Sequence, residues 1–134
     1  MVTRCSYLSR SSFYKKPYEA GRRKWLIAEL NKYTSRIVRR RDGRCVTCGT
    51  KRNLQCSHFY SRRYLAIRFN LLNRNAMCGR CNRHHNYDPF PYISYVLGNY
   101  GSEAVEALNR LRSSHRQVTD DDLRRTRGAY QAMC

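Results

Sequence analysis

Two C-x-x-C pairs, Cys45/Cys48 and Cys78/Cys81, with 29 residues between them, constrain this chain more than any other feature. Thiols spaced this way chelate from one tight turn, and two such turns supply the four ligands of a tetrahedral zinc site. Zinc held by four thiolates has no open coordination position. It is therefore predicted to be structural, supplying on the order of 10 kcal/mol to fold a stretch with little core of its own. The cysteines number seven, an odd count with four in knuckle pairs, which points to a reducing compartment rather than a disulfide framework. Cys5, Cys56 and Cys134 have no partner at knuckle spacing and are assigned no chemistry.

Charge is the second constraint. A net charge of +18 over 134 residues makes the surface an attractor of polyanions. No run of about 18 apolar residues is present, and the basic N-terminus lacks the apolar stretch of a secretory signal, so the expected partner is nucleic acid and not a membrane. The expected location is the cytoplasm. Between Asp42 and Asp88 there is no acidic residue, while Arg44, Lys51, Arg52, Arg62, Arg63, Arg68, Arg74, Arg80 and Arg83 are all basic. Such a segment repels itself unless it faces something negative.

One domain is expected at this length, in an α+β class. Residues 1–18 read as a flexible basic arm, 19–88 as a helix plus the cysteine-framed core, and 89–134 as a helical segment. From about Ala20 to Arg41, Leu26, Leu30, Tyr33 and Ile37 recur at helical spacing. Arg39, Arg40 and Arg41 close that helix and are expected to meet phosphate. Asp42-Gly43 breaks it. Asn53 to Tyr60 reads as a strand, 61–70 as a basic, aromatic loop, and Leu71 to Met77 as a second strand. A short helix is expected from Asn82 to before Pro89, and another over Tyr92 to Leu97, stopped by Gly98 and Gly101. Ser102 is expected to cap a helix that turns Val105, Leu108 and Leu111 inward. Thr119 followed by Asp120, Asp121 and Asp122 is a strong helix start, so that acidic cluster needs no metal.

The segment between the knuckles carries the candidate site. His58 ends the first strand, Asn73 precedes Cys78 by five residues, Asn82 follows Cys81, and His84, His85 and Asn86 lie just beyond. This arrangement resembles the HNH, or ββα-metal, nucleases. It looks more closely like the phage NinG family of recombination proteins. The carrying motifs are Arg39-Arg40-Arg41-Asp42, Cys45 to Gly49, Ser57-His58, Ile67-Arg68-Phe69, Asn73 to Asn82, and an aromatic stretch from Tyr92 to Gly101. The resemblance runs from about residue 20 to Tyr130.

It implies a small zinc-stapled ββα-metal core flanked by N-terminal and C-terminal helices, phage-encoded and working in a bacterial host. It also implies a DNA endonuclease acting on branched or single-stranded recombination intermediates. His58 would be the general base, with Mg²⁺ or Mn²⁺ as catalytic ion. Asn82 and His58 would approach that ion, Asn73 would hold the hairpin loop, and His85 would support the ion or a phosphate. Many HNH enzymes have an Asp beside the strand His. Ser57 stands there in this chain, so ion binding is expected to be weak and completed by water and DNA phosphates. Arg62, Arg63 and Arg68, interleaved with Tyr60, Tyr64 and Phe69, suit phosphate contact and stacking, and Arg74, Arg80 and Arg83 extend the basic set. No recognition-helix signature calls for base-specific reading. A second reading stays open: a non-enzymatic zinc module that binds DNA or RNA, its HNH site decayed. Under either, the basic arm can dock a recombinase or replication protein.

Overall fold

Helix α1 spans Arg22–Asp42 and buries the face its spacing predicts: Leu26, Leu30, Tyr33 and Ile37 are all inside, joined by Glu29, Thr34 and Val38. The computed structural model describes residues 21–134, so the basic arm expected at 1–18, and Cys5 with it, lie outside the described residues. The helix stops where Asp42-Gly43 was expected to stop it. Gly43 takes a φ of 68°, a left-handed conformation that costs glycine little, and its N–H closes on the Arg39 carbonyl at 2.9 Å.

Two strands, β1 (Leu54–His58) and β2 (Arg74–Cys78), pair antiparallel with Leu54 opposite Cys78 and His58 opposite Arg74. The segment between them, expected as loop, contains a single helical turn, α2 (Leu65–Arg68), and a 3₁₀ turn at Leu71–Asn73. Strand β2 thus begins at Arg74 and not at Leu71. The reason is local: the Asn70 side chain accepts the Leu72 N–H at 2.9 Å, which caps the 3₁₀ turn and delays the extended backbone. Every residue of β2 is buried, because α1 covers one face while elements after the strand cover the other.

Helix α3 (Gly79–His84) grows directly out of the second knuckle, earlier than the expected start at Asn82. Helix α4 (Phe90–Tyr100) runs through Gly98 and stops only at Gly101. Gly101, with φ 84° and ψ 161°, is also the N-cap of α5 (Ser102–Ser113), the position expected for Ser102. That conformation favours glycine, so the turn residue displaces the hydroxyl cap. On α5, Leu108 is buried and Val105 packs on the core, but Leu111, expected inward, is 37 % exposed. Helix α6 (Asp120–Met133) opens with the anticipated acid run: Thr119 and Asp122 form a reciprocal capping box. Asp120 reaches Arg23 at 2.6 Å, tying α6 back to α1.

The core has two parts. Cys45, Met77, Cys78, Tyr92 and Val96 pack around the knuckles, and Leu26, Leu30, Phe69 and Leu123 pack where α1 meets α6. Asp42 links them to the sheet. Its carboxylate accepts the Ala76 N–H at 2.7 Å and the Arg41 Nε–H at 2.8 Å. The Arg41 guanidinium in turn donates to the carbonyls of Leu71 and Arg74, each at 2.8 Å. Arg41, expected on phosphate, is instead turned to the hairpin backbone. Losing a bond from a buried N–H to a carboxylate costs about 2 kcal/mol. Asp42→Ala is therefore expected to lower the unfolding free energy of the zinc-loaded protein by about that amount in denaturant titration. A change below about 0.5 kcal/mol, the range of an ordinary surface substitution, would show that Asp42 does not hold β2.

Candidate metal centre and the His58 cleft

The four knuckle sulfurs converge. Each offers one ligand atom, and all four lie within 4.8 Å of one another, with Cys48 Sγ and Cys78 Sγ 3.8 Å apart. Sulfurs at the corners of a tetrahedron with a metal–sulfur distance of about 2.3 Å stand about 3.8 Å apart, so the donor set fits zinc. Both turns are shaped for it. Gly49, at φ 79°, closes the first knuckle on the Cys45 carbonyl at 2.9 Å. Cys78 is the N-cap of α3, its sulfur accepting the Cys81 N–H at 3.4 Å. Burial opposes ionising Cys45, but bonds from the Thr47 hydroxyl and from backbone amides outweigh it and hold that thiol near 6. Thr47 pulls Cys81 down as well. Burial and the other three sulfurs overcome that pull and push Cys81 up to about 12. Four thiols so crowded cannot all ionise without a cation among them.

His58 lies on the far end of the hairpin from this centre. Alternation along β1 puts it on the side of Leu54 and Cys56, toward α1, whereas Ser57 is turned to the Tyr92 hydroxyl; Gln55 at the strand's start also lines the cleft. There it lines a cleft of about 450 Å³ between Asn31, Ser35 and Arg39 of α1 and Arg62, Arg68 and Arg74 of the hairpin segment. No acid lines it. Burial, then the charges of Arg74, Arg68 and Arg62, push the imidazole down to about 3, so it is neutral at pH 7. Its Nε2 is buried without a hydrogen-bond partner, as are Nε of Arg68 and Nε of Arg74. Arg68 is itself lowered by burial and by Arg62 and Arg74. A neutral base among three uncompensated guanidiniums is a setting that an anion would relieve.

Asn73 secures the backbone that follows His58. It is fully buried, accepts the Tyr60 N–H at 2.8 Å through Oδ1 and donates to the Tyr60 carbonyl at 3.2 Å through Nδ2. The structure does not bring Asn82 to His58. The Asn82 amide donates to Gln55 Oε1 at 2.9 Å, and Gln55, three strand positions before His58, itself lines the His58 cleft. His85 packs edge-on against Tyr92, ring centres 5.5 Å apart, and burial lowers its pKa. Ser57, where an acid was missing, is buried and faces the Tyr92 hydroxyl, and the only nearby acid in sequence, Asp42, is committed to Ala76 and Arg41. The expected pairing of His58 and Asn82 around Mg²⁺ or Mn²⁺ is reduced here to an indirect link through Gln55. These side chains do not fit a resident divalent ion, because a hard cation needs charged oxygen ligands and this cleft offers guanidiniums.

The remaining arginines separate by partner. Arg39 lines the cleft with its Nε on the Ser35 carbonyl, Arg40 donates to the Met133 carbonyl, and Arg80 and Arg83 are exposed on α3. One contributor escapes sequence reading. Arg112 of α5 stacks over Tyr60 and Tyr64 at 4.8 and 5.1 Å, a meeting of residues about fifty positions apart that no local pattern announces.

Fold and centre together define a small, helix-rich α+β protein with a two-stranded sheet and a four-cysteine cluster that could hold a metal. The chain belongs to the family described as bacteriophage lambda NinG protein, whose model matches residues 8–134. It is 27 % identical over 104 residues to protein ninG of Escherichia phage lambda, covering 74 % of this chain and 51 % of that one. It is also 27 % identical over 114 residues to protein ninG of Escherichia phage 933W and to that of Enterobacteria phage VT2-Sa, covering 81 % of this chain and 56 % of each relative. The chain thus spans about half the length of these relatives. No solved structure matches it significantly. Among the described residues no helix is long and apolar enough to cross a membrane.

Two outcomes follow from this geometry. Metal analysis of the purified protein should return one zinc per chain, and Cys78→Ser should lose both metal and cooperative unfolding. A well-folded, metal-free Cys78→Ser protein would refute the structural role. For His58, imidazole resonances followed by NMR should show no titration between pH 8 and pH 5. Because the unfolded chain takes this proton near 6.5 and the folded chain near 3, folding loses stability as pH falls through that window. A midpoint at or above 6 would contradict the cleft's electrostatics.

Proposed function

We propose that this protein is a DNA endonuclease acting on branched or single-stranded recombination intermediates, with the scissile phosphate seated in the His58 cleft. One observation carries the reading: a neutral imidazole with an unpartnered nitrogen lies among Arg62, Arg68 and Arg74 in a pocket without acids. The resemblance to HNH nucleases and membership in the NinG family support it. The guanidiniums bind the phosphodiester and stabilise the negative charge that grows on its non-bridging oxygens. The phosphate, by neutralising their field, raises the pKa of His58 toward the range where it can work as a base. His58 takes a proton from water as that oxygen bonds to phosphorus. The bond to the 3′ oxygen breaks, and the leaving oxygen is protonated from solvent. Asn73 acts as a positioning residue by clamping Tyr60, two residues beyond the base.

A second reading has its own support. The absence of carboxylates in the cleft and the Asn82–Gln55 bond favour a zinc-containing module that binds nucleic acid without cutting it. The two separate in one assay: nicking of four-way, flapped and plain duplex DNA, with arms in Mg²⁺, in Mn²⁺ and in EDTA, since the HNH resemblance implies an ion these side chains do not themselves hold. The intact protein is expected to nick a branched or flapped substrate, and His58→Ala to bind equally while cutting at least a hundredfold more slowly, the usual scale of general-base loss. Equal binding with no cutting by either protein in any arm would leave the binding module.

A further inference from the structure

Adjacent residues Arg62 and Arg63 diverge. Arg62 lines the His58 cleft, whereas Arg63 lines a separate pocket of about 250 Å³ with Arg23, Tyr64, Arg112, His115 and Arg116, and the two pockets share no lining residue. Helix α5 packs against the single turn α2, and this delivers Arg112 to Tyr64. The Arg63 guanidinium stacks over the Tyr64 ring at 4.9 Å and donates to its hydroxyl at 3.1 Å. Arg112 approaches the same hydroxyl at 3.5 Å and is held by Asn109 Oδ1, 3.0 Å from its Nε.

Every partner of these two guanidiniums is a neutral oxygen or a ring. At the rim the pattern reverses, with Arg23 paired to Asp120 at 2.6 Å and Arg116 to Asp122 at 3.8 Å. Among the described residues, counter-charge is supplied to the rim arginines and none to the central pair, although two like charges on one phenol repel. Asn109 Oδ1 accepts from both Nε and Nη2 of Arg112, which fixes that guanidinium, and the N–H donors left over on Arg63 and Arg112 are of the kind that match phosphate oxygens.

We infer that Arg63 and Arg112, converging on Tyr64, form a second phosphate-binding site that holds a stretch of nucleic-acid backbone apart from the one in the His58 cleft. The choice of nucleic acid rests on the proposed function, and on the acid-free run from Gly43 to Tyr87 that joins the two pockets through Arg62 and Arg63. The site itself does not depend on cutting. Its consequence is two backbone contacts, one at each pocket, so that one protein engages two segments of strand.

The test is binding of a fluorescein-labelled single-stranded oligonucleotide by the full zinc-loaded chain carrying His58→Ala, read by anisotropy over a range of salt concentrations. Arg63→Gln combined with Arg112→Gln should weaken binding about tenfold at moderate salt. It should also flatten the slope of log K against log salt by about 1.4, two contacts at about 0.7 each for single strands. Lysine at both positions should keep most of the slope. Zinc content and thermal midpoint are measured in parallel, because Arg112 also packs on Tyr60. Should the double variant fail to fold, Arg63→Gln alone carries the test, with a slope change of about 0.7. An unchanged slope and affinity in folded variants overturns the inference and leaves an acidic protein as the ligand of that pocket. Wild-type protein that binds the oligonucleotide and never cuts DNA would remove the nuclease reading while leaving this site standing.

Discussion

The convergence of four sulfurs is the constraint on which the rest of the structure depends. A two-stranded hairpin is too small to be stable alone. Here it is closed at its Leu54–Cys78 end by the knuckles, with Val46 N–H bonded to the Ala76 carbonyl at 2.9 Å on the free edge of β2. The apolar packing around Cys45 and Cys78 comes mostly from Tyr92 and Val96 of α4, a helix that follows the second knuckle. A metal held by these sulfurs would therefore be coupled to formation of this core, since Cys45 and Cys78 are themselves buried in it.

The other end of the hairpin is organised by charge rather than by packing. The acids near the sheet are spent on structure: Asp42 holds β2 and Arg41, and the aspartates of α6 satisfy its own N-terminus and neighbouring arginines. What the described residues leave around His58 is positive charge without compensation, partly desolvated. That distribution explains why the imidazole is neutral and why a resident cation has no place there. An anionic ligand is the one partner that would lower the energy of the whole cleft.

The segment between the strands serves both sides of the protein. Its single turn α2 sends Phe69 into the α1–α6 cluster, where the Tyr130 hydroxyl donates to the Phe69 carbonyl at 2.6 Å. The same turn fixes Arg62 and Arg68 against His58, and Arg63 against Tyr64. Packing of α2 by α5, with Phe69 anchored on α6, thus links helices after residue 100 to the segment that carries the cleft arginines.

Much of this was legible in the sequence, because the relevant signals are local. The C-x-x-C spacing implied the metal centre, the recurrence of Leu26, Leu30, Tyr33 and Ile37 implied the buried face of α1, and Thr119 with Asp122 implied the start of α6. Asn73 as the clamp on the loop after His58 also followed from its place in a recognised motif. Contacts between distant segments were not legible. Whether Arg41 faces phosphate or backbone depends on where β2 passes, and Asn82 meets Gln55 rather than His58 because its helix starts beside the Leu54–Cys78 end of the hairpin. The cap of α5 fell to Gly101 because a positive φ at a turn outranks a hydroxyl beside it. Residue types and spacings determined that the chain folds around four thiols and carries an excess of positive charge. Only the tertiary structure decided which arginines remain unpaired, and that choice makes the cleft and the Tyr64 pocket.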